Sequence, residues 1–429
     1  MSHDFENGAV LVLLIAVIVA IVTRKLRLPY SVGLVAAGMG IALLPFAPKV
    51  ELTRSLIFLV LLPPLIFEAA FHLRWPELRR DLFVILSLAT LGVLVSAAVT
   101  TAGMFLFAHW TWSAALVFGT LIAATDPVSV IAVFREANVH GRLRLLIEAE
   151  SLFNDGTAAV AFSIAVAAAA GQHLSALAIL RTAVVTTAGG ILCGAVVAKL
   201  TLYLVGRTED HLVETACTMI AAYGSFLLAD SLALSGIFAT LTAGLVMGNI
   251  PNTPISSRGR ETVESFWEYA AFVANSAVFL LIGMHETSRR IGAVLISAVI
   301  AAAVVTLGRA VAVYPVCQLF RWSSLRISAR HQHGLLWGGL RGALALALVL
   351  GLPPAIPGRE QIIAVTFAVV SLSIFLQGLT VTPVLRALGE IPVQGSPRKG
   401  GILAVLRRSP PVGEDLRTPR SADDREVDL

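Results

Sequence analysis

A bilayer's hydrocarbon core is about 30 Å thick and takes ~20 apolar residues of helix to cross, and the chain carries about thirteen runs of that kind. They lie at approximately 8–23, 30–46, 54–71, 82–107, 114–134, 144–170, 178–205, 211–229, 231–248, 267–284, 291–320, 333–352 and 361–386. No water reaches a backbone group at membrane depth, so each run must close its own hydrogen bonds as a helix. The expectation is an all-α polytopic membrane protein of about thirteen spans. Composition agrees. Of the 429 residues 57% are hydrophobic and only 14% charged, and the mean hydropathy is +0.83. That is too little charge to clothe soluble domains of this total length. The net charge of +5 does not point to nucleic acid, since no basic cluster is joined to stacking aromatics. Cys193, Cys217 and Cys317 all sit in apolar runs, which leaves no disulfide framework or zinc site. No resident cofactor is expected.

The first run is not read as a cleaved signal. Its leader carries Asp4 and Glu6, and Thr23-Arg24-Lys25 follows where small residues should stand. Basic residues collect in loops after odd-numbered spans: Arg24, Lys25 and Arg27, then Arg74, Arg79 and Arg80, with the same bias after spans five, nine and eleven. Loops after even-numbered spans hold only Lys49, Arg54, Arg181, Arg289, Arg290 and Arg359. The positive-inside rule then places the N-terminus outside and the C-terminus in the cytoplasm of what reads as a bacterial inner membrane. The transmembrane domain is set at 1–390. Residues 391–429, rich in proline and charge with one short apolar patch at Ile402–Leu406, read as a solvated cytoplasmic tail.

Ionisable side chains inside spans are costly and mark pathways, relays or buried pairs. Here they are Glu68, Asp126, Glu150, Asp155, Arg309 and Arg341, with Lys199 and Asp230 near helix ends. In span six, Glu150 and Asn154 share one stripe and Ser151 and Asp155 the next, each pair about 40° apart at 100° per residue. The Ser151/Asp155 edge offers oxygen ligands suited to a hard cation or a proton. The Glu150/Asn154 edge needs a partner inside the protein. In span five, Thr125-Asp126-Pro127 should break the helix near Ala123, because proline lacks the amide hydrogen and clashes with the preceding turn. Span twelve spaces Gly334, Gly338 and Gly342 at four residues around Arg341. The glycines suit close helix approach, but the arginine requires an anion, for which Glu150 is the candidate. Span three presents Glu68 after Pro63-Pro64. Arg309 has no partner legible from sequence, Asp230 reads equally as a turn cap, and His331 and His333 read as surface residues.

Broken spans in fifth and twelfth place fit an inverted repeat in which spans one to six correspond to eight to thirteen. Discontinuous helices at equivalent places in two halves point to a midplane transport site.

Phe67-Glu68-Ala69, Thr125-Asp126-Pro127-Val128, the run Glu150 to Gly156 and Gly339-Leu340-Arg341-Gly342 together resemble the sodium/proton exchangers of the cation/proton antiporter superfamily, in its electroneutral branch. The likeness covers residues 8 to about 390, in order. It implies a homodimer whose protomers each have a panel and a core, with helices five and twelve unwound and crossed. It implies that Asp155 alternates between sodium and protons and that Asp126 shares its site. Glu68, Ser151 and Thr125 complete cation coordination in some members, so transported sodium would meet Asp155, Asp126, Ser151 and Glu68. It implies a structural bridge between Glu150 and Arg341. Asn154, where electrogenic relatives place a second Asp, implies one proton out for one cation in, and a role in pH homeostasis.

Other classes fit less well. A channel would need a ring of carbonyls or charges about a pore. An intramembrane aspartic protease also uses two buried Asp residues, but Asp155-Gly156-Thr157 is not in that order. A serine enzyme at Ser235-Gly236 would lack a buried histidine. The chain therefore reads as a transporter and not an enzyme, moving sodium or lithium against protons, with potassium/proton exchange as the alternative because cavity size and ligand geometry decide the ion.

Overall fold

The computed structural model describes residues 2–26, 28–44, 53–126, 131, 134, 141–172, 174–250, 255–287 and 291–391. Pro127 and Val128, basic residues Arg27, Lys49, Arg135, Arg289 and Arg290, and the tail from 392 onward lie outside them. Among the described residues the fold is helical throughout. The helices are α1 Ser2–Leu26, α2 Tyr30–Ala42, α3 Leu56–His72, α4 Trp75–Phe107, α5 Trp112–Leu121, α6 Arg142–Ala169, α7 Ala176–Val205, α8 His211–Ser231, α9 Gly236–Asn249, α10 Ser257–Thr287, α11 Ile291–Leu319, α12 Ala329–Trp337, α13 Ala343–Leu350 and α14 Arg359–Ala387. Seven of them are long and apolar enough to cross a membrane, and α2, α3, α5 and α9 are shorter apolar helices.

Local chemistry sets many of the boundaries. Side-chain oxygens of Thr111, Ser175, Asp210, Ser235 and Ser328 accept amide hydrogens of the first turns of α5, α7, α8, α9 and α12, which satisfies donors that have no partner within the helix. Ser235, the serine of the protease-like dipeptide, is thus occupied as a cap. Pro63 and Pro64 do not break α3. The turn before them, Leu56–Leu61, widens to π-helical geometry, which accommodates residues whose missing amide and bulky ring would strain an α-helical turn.

The helices sort into two groups by packing. In one, α2 lies along α10, and α9 lies between α3 and α7. In the other, α4 packs on α11 and α5, α5 on α6, and α11 on α14. An ion-paired clasp holds the second group at one end. Arg142, the first residue of α6, donates to Asp81 of α4 at 2.6 and 3.0 Å, and to the backbone oxygens of Leu325 and Arg326 before α12 at 2.8 and 2.7 Å. His331 also has a specific contact, facing Glu390 at 3.3 Å, and His333 meets the Tyr314 hydroxyl at 2.7 Å.

Candidate functional site

Two interruptions of helix meet in the second group. α5 stops at Leu121 and the chain is extended at Ala124-Thr125-Asp126; α12 stops at Trp337, and 338–342 are unwound before α13 begins. The two stretches lie antiparallel and side by side, and the Asp126 amide donates to the Leu340 oxygen at 2.7 Å. The backbone groups that each break frees are thereby used. Arg341 Nη1 donates to the oxygens of Ile122 at 2.5 Å and Ala124 at 3.0 Å, placing a cation on the negative end of a half-helix. The Arg341 amide in turn donates to Ser373 Oγ of α14 at 3.0 Å. On the other face, the Asp126 carboxylate lies over Gly342, where any Cβ would overlap Oδ2. A carboxylate there sits at the positive start of α13. The four-residue glycine spacing therefore does not mark one continuous helix face. Gly334 and Gly338 make room for Leu143 and Ile147 of α6, and Gly342 makes room for an acid.

The two stripes of α6 divide as their chemistry demands. Glu150 and Asn154 are 0% exposed. The Glu150 carboxylate receives Arg309 Nη1 and Nη2 of α11, one on each oxygen at 2.7 Å, and Arg309 Nη2 also donates to the Leu335 oxygen at 3.0 Å. A bidentate, charge-assisted pair of this kind fixes geometry as well as charge. It corrects the expectation that Arg341 serves Glu150. Arg341 is spent on the broken helix's carbonyls, and the arginine left without a partner at the sequence level is the one that closes the bridge. Asn154 is fully engaged: Nδ2 donates to Glu150 Oε1 at 3.0 Å and Thr125 Oγ1 at 2.6 Å, and Oδ1 accepts the Thr125 amide at 3.2 Å. Thr125 Oγ1 lies 3.0 Å from Ser151 Oγ. One polar chain thus runs Leu335–Arg309–Glu150–Asn154–Thr125–Ser151 and ties three helices to the unwound segment.

Asp155, on the other stripe, is half-buried and faces a cavity of about 570 Å³. Glu68, Thr125, Asp126, Glu148, Asp155 and Glu268 line it, and among the described residues no lysine or arginine does. Glu68, Thr125, Asp126 and Asp155, all singled out from sequence, are thus brought to one space, with Ser151 one hydrogen bond behind Thr125. They do not form a closed cage. Among the described residues no three acidic, histidine or cysteine side chains converge closely enough to hold a metal ion. Such an arrangement can attract a cation strongly and still release it. Glu148 and Glu268 were missed by sequence reasoning. Glu148 had a signal, since it lies about two turns before Asp155 on the same stripe; Glu268 had a weaker one, as the second residue of the tenth apolar run, where a charge is easily read as an end residue.

A family model described as the transmembrane sodium/hydrogen exchanger matches residues 11–387, which contain both breaks and the whole cavity. The chain belongs to the sodium/hydrogen exchanger family. Among relatives of this family member, the Na(+)/H(+) antiporter ApNhaP of Aphanothece halophytica is 39% identical over 85% of this chain and 70% of its own length. The Na(+)/H(+) antiporter NhaH of Halobacillus aidingensis is 31% identical over 90% of this chain and 98% of its own. The solved structure of the sodium proton antiporter MjNhaP1 from Methanocaldococcus jannaschii superposes with a TM-score of 0.71 at 20% identity, covering 91% of this chain and 98% of that one. The fold is shared with that structure, and the chain is a multi-pass membrane protein.

Proposed function

We propose that this chain exchanges sodium or lithium ions for protons, one for one, with both competing for Asp155. The observation that carries the reading is the half-buried Asp155 beside Asp126, at the foot of a cavity whose charged lining is wholly acidic. The names of the relatives, sodium/proton antiporters, support the same chemistry.

The residues divide the work. Asp126 is held over the start of α13, where the helix end offsets its charge. Glu150 is neutralised by Arg309. Asn154 brings no charge, and its amide is consumed by Thr125 and Glu150. Asp155 is then the carboxylate free to cycle, so a cation or a proton rides on it and turnover moves no net charge. Glu68, Thr125 and Ser151 supply further oxygens. With no closed cage, the sodium ion keeps part of its water until helices shift to expose Asp155 to the other side. On the arginine-derived orientation, Glu148 lies near the cytoplasmic end of α6 beside Arg142 and Arg144, so the cavity faces the cytoplasm, with the N-terminus outside. Thirteen spans, an inverted repeat with crossed breaks, and a homodimer complete the proposal.

The test is cation-dependent dequenching of a pH dye in vesicles containing the purified chain, with sodium, lithium and potassium added separately. A response to sodium and lithium that Asp155→Asn abolishes is the expected result. A response to potassium alone would make the chain a potassium/proton exchanger, and no response to any of the three would refute antiport.

A further inference from the structure

Behind the crossing, on the side away from the acidic cavity, a second space of about 40 Å³ lies between α11, α14 and the unwound segment. Its inner wall is made of donors. Arg309 is 7% exposed, and its Nε is buried with no hydrogen-bond partner. Gly339 borders the same space, and a Cβ there would lie 2.7 Å from that nitrogen; Nε thus looks onto the gap that the glycine leaves. Arg341, also buried, spends Nη1 on the oxygens of Ile122 and Ala124. Those acceptors are neutral, and among the described residues no carboxylate forms an ion pair with Arg341, whereas Arg309 has Glu150. Gln377 of α14 accepts from Ser373 Oγ at 2.6 Å through Oε1, which turns its NH2 group into a further donor. Among the described residues no acid borders the space.

Donors and positive charge without a facing acceptor select a single negative charge, and guanidiniums favour a carboxylate. The size agrees. One water needs roughly 10–15 Å³ of such space, so about 40 Å³ takes the two oxygens of a carboxylate but not a branched phosphodiester. The mouth has the opposite character. Leu372 and Leu376 border it near the middle of α14 and are 40% and 64% exposed, a depth at which a multi-pass protein meets hydrocarbon. A halide or a phosphodiester keeps its charge and is barred from that depth, whereas a carboxylic acid enters hydrocarbon in its neutral form.

We propose that this space binds the carboxylate of a long-chain fatty acid drawn from the bilayer. Arg309 Nε, Arg341 and the Gln377 amide hold the head, and the tail lies over Leu372 and Leu376. The head supplies the counter-charge that Arg341 lacks and ties α11, the unwound segment and α14 together. Arg341 stands between it and the crossing, where Nη1 keeps its two carbonyl oxygens. The site goes beyond the exchange reading and does not depend on it.

The full chain, purified in detergent, would be incubated with radiolabelled oleate, and the label eluting with the folded protein counted. Saturable binding of one oleate per chain is expected, and methyl oleate, which keeps the tail and loses the charge, should fail to displace it. Gln377→Glu sets a carboxylate among the donors and should weaken binding about tenfold or more; Gln377→Leu should weaken it less. Leu376→Trp puts a bulky ring at an exposed position of the mouth, where folding is not at stake, and should also weaken binding. No saturable binding by wild type, displacement by methyl oleate as effective as by oleate, or binding unchanged in folded Gln377→Glu or in Leu376→Trp would each overturn the proposal. If the Gln377 variants fail to fold, methyl oleate and Leu376→Trp carry the test. Thermal unfolding in chloride against gluconate separates the other source of an anion. Stabilisation by chloride that Gln377→Glu removes, with no oleate bound, would make the occupant an aqueous halide and overturn the fatty-acid assignment.

Discussion

Replacing Arg309 with methionine would keep most of its stem packing but leave Glu150, with 0% exposure, without its cation. The structure gives the loss directly: two charge-assisted hydrogen bonds of 2.7 Å vanish, and among the described residues Asn154 is left as the donor to the carboxylate. Breaking a buried pair on one side costs about 3–5 kcal/mol, because the remaining charge is stranded. Changing Glu150 to glutamine as well removes the stranded charge, so the double variant should recover most of that cost. Arg341→Met behaves otherwise. It uncaps the oxygens of Ile122 and Ala124, at roughly 1–3 kcal/mol for each buried group left unsatisfied. Arg341 makes no hydrogen bond to Glu150, so Arg341→Met should couple to Glu150→Gln only through charge and more weakly than Arg309→Met does. The assay is thermal unfolding of detergent-purified protein, read as the folded fraction surviving on size exclusion, for both double-mutant cycles. Strong coupling of Glu150 to Arg341 and none to Arg309 would refute the assignment of the bridge.

Asp155→Asn and Asp126→Asn should each abolish sodium-driven exchange while leaving the elution profile unchanged. In the wild type the rate should be bell-shaped in pH, since protons hold Asp155 at low pH and too few ride the return leg at high pH; a rate that rises without a maximum would contradict competition at one carboxylate. Asn154→Asp would set a second carboxylate against Glu150 Oε1, now 3.0 Å from the Asn154 amide, and remove the donor to Thr125. It should lower stability by a few kcal/mol, and any folded fraction should respond to membrane potential in the vesicle assay; stability equal to wild type would show that this amide contact is dispensable. Arg142→Gln should cost about 3 kcal/mol by stranding Asp81, which is 2% exposed, and unchanged thermal unfolding would remove the clasp from the account.

How much could be read beforehand follows from what each feature depends on. Apolar length is a local property, so helices such as α7 and α14 stand in the sequence almost at their observed bounds, whereas α4 begins seven residues earlier than its apolar run, in a charged first turn. Asp155 was legible because an acid in an apolar span has few uses. The break at Asp126 was legible because proline acts on its own helix. The partner of Glu150 was not. Two arginines stood in apolar helices, and sequence cannot say which helix lies beside α6 and which supplies a cap for orphaned carbonyls. Arg341 lay among the more conspicuous residues, and chain context offered no contrary signal. Glu268 was hidden for a related reason. It stands where the charged first third of α10 meets its apolar run, and only the packing of the helices makes that charge part of a cavity wall. The clasp at Arg142 joins three separated segments through backbone oxygens, which leave no mark in a sequence.

The arginines have one more consequence. The acidic cavity lies on one side of the unwound segment; on the other, Arg309 and Arg341 border a small space of about 40 Å³ with Gly339, Ser373 and Gln377. A cation drawn in by the carboxylates therefore finds the Arg341 guanidinium behind them, Arg309 being already paired with Glu150, and like charges repel more strongly in a low-dielectric interior than in water. The residues that make the broken helices tolerable also insulate them. On the proposed exchange, a cation held at the crossing is not passed through it and leaves by movement of the protein, not by conduction.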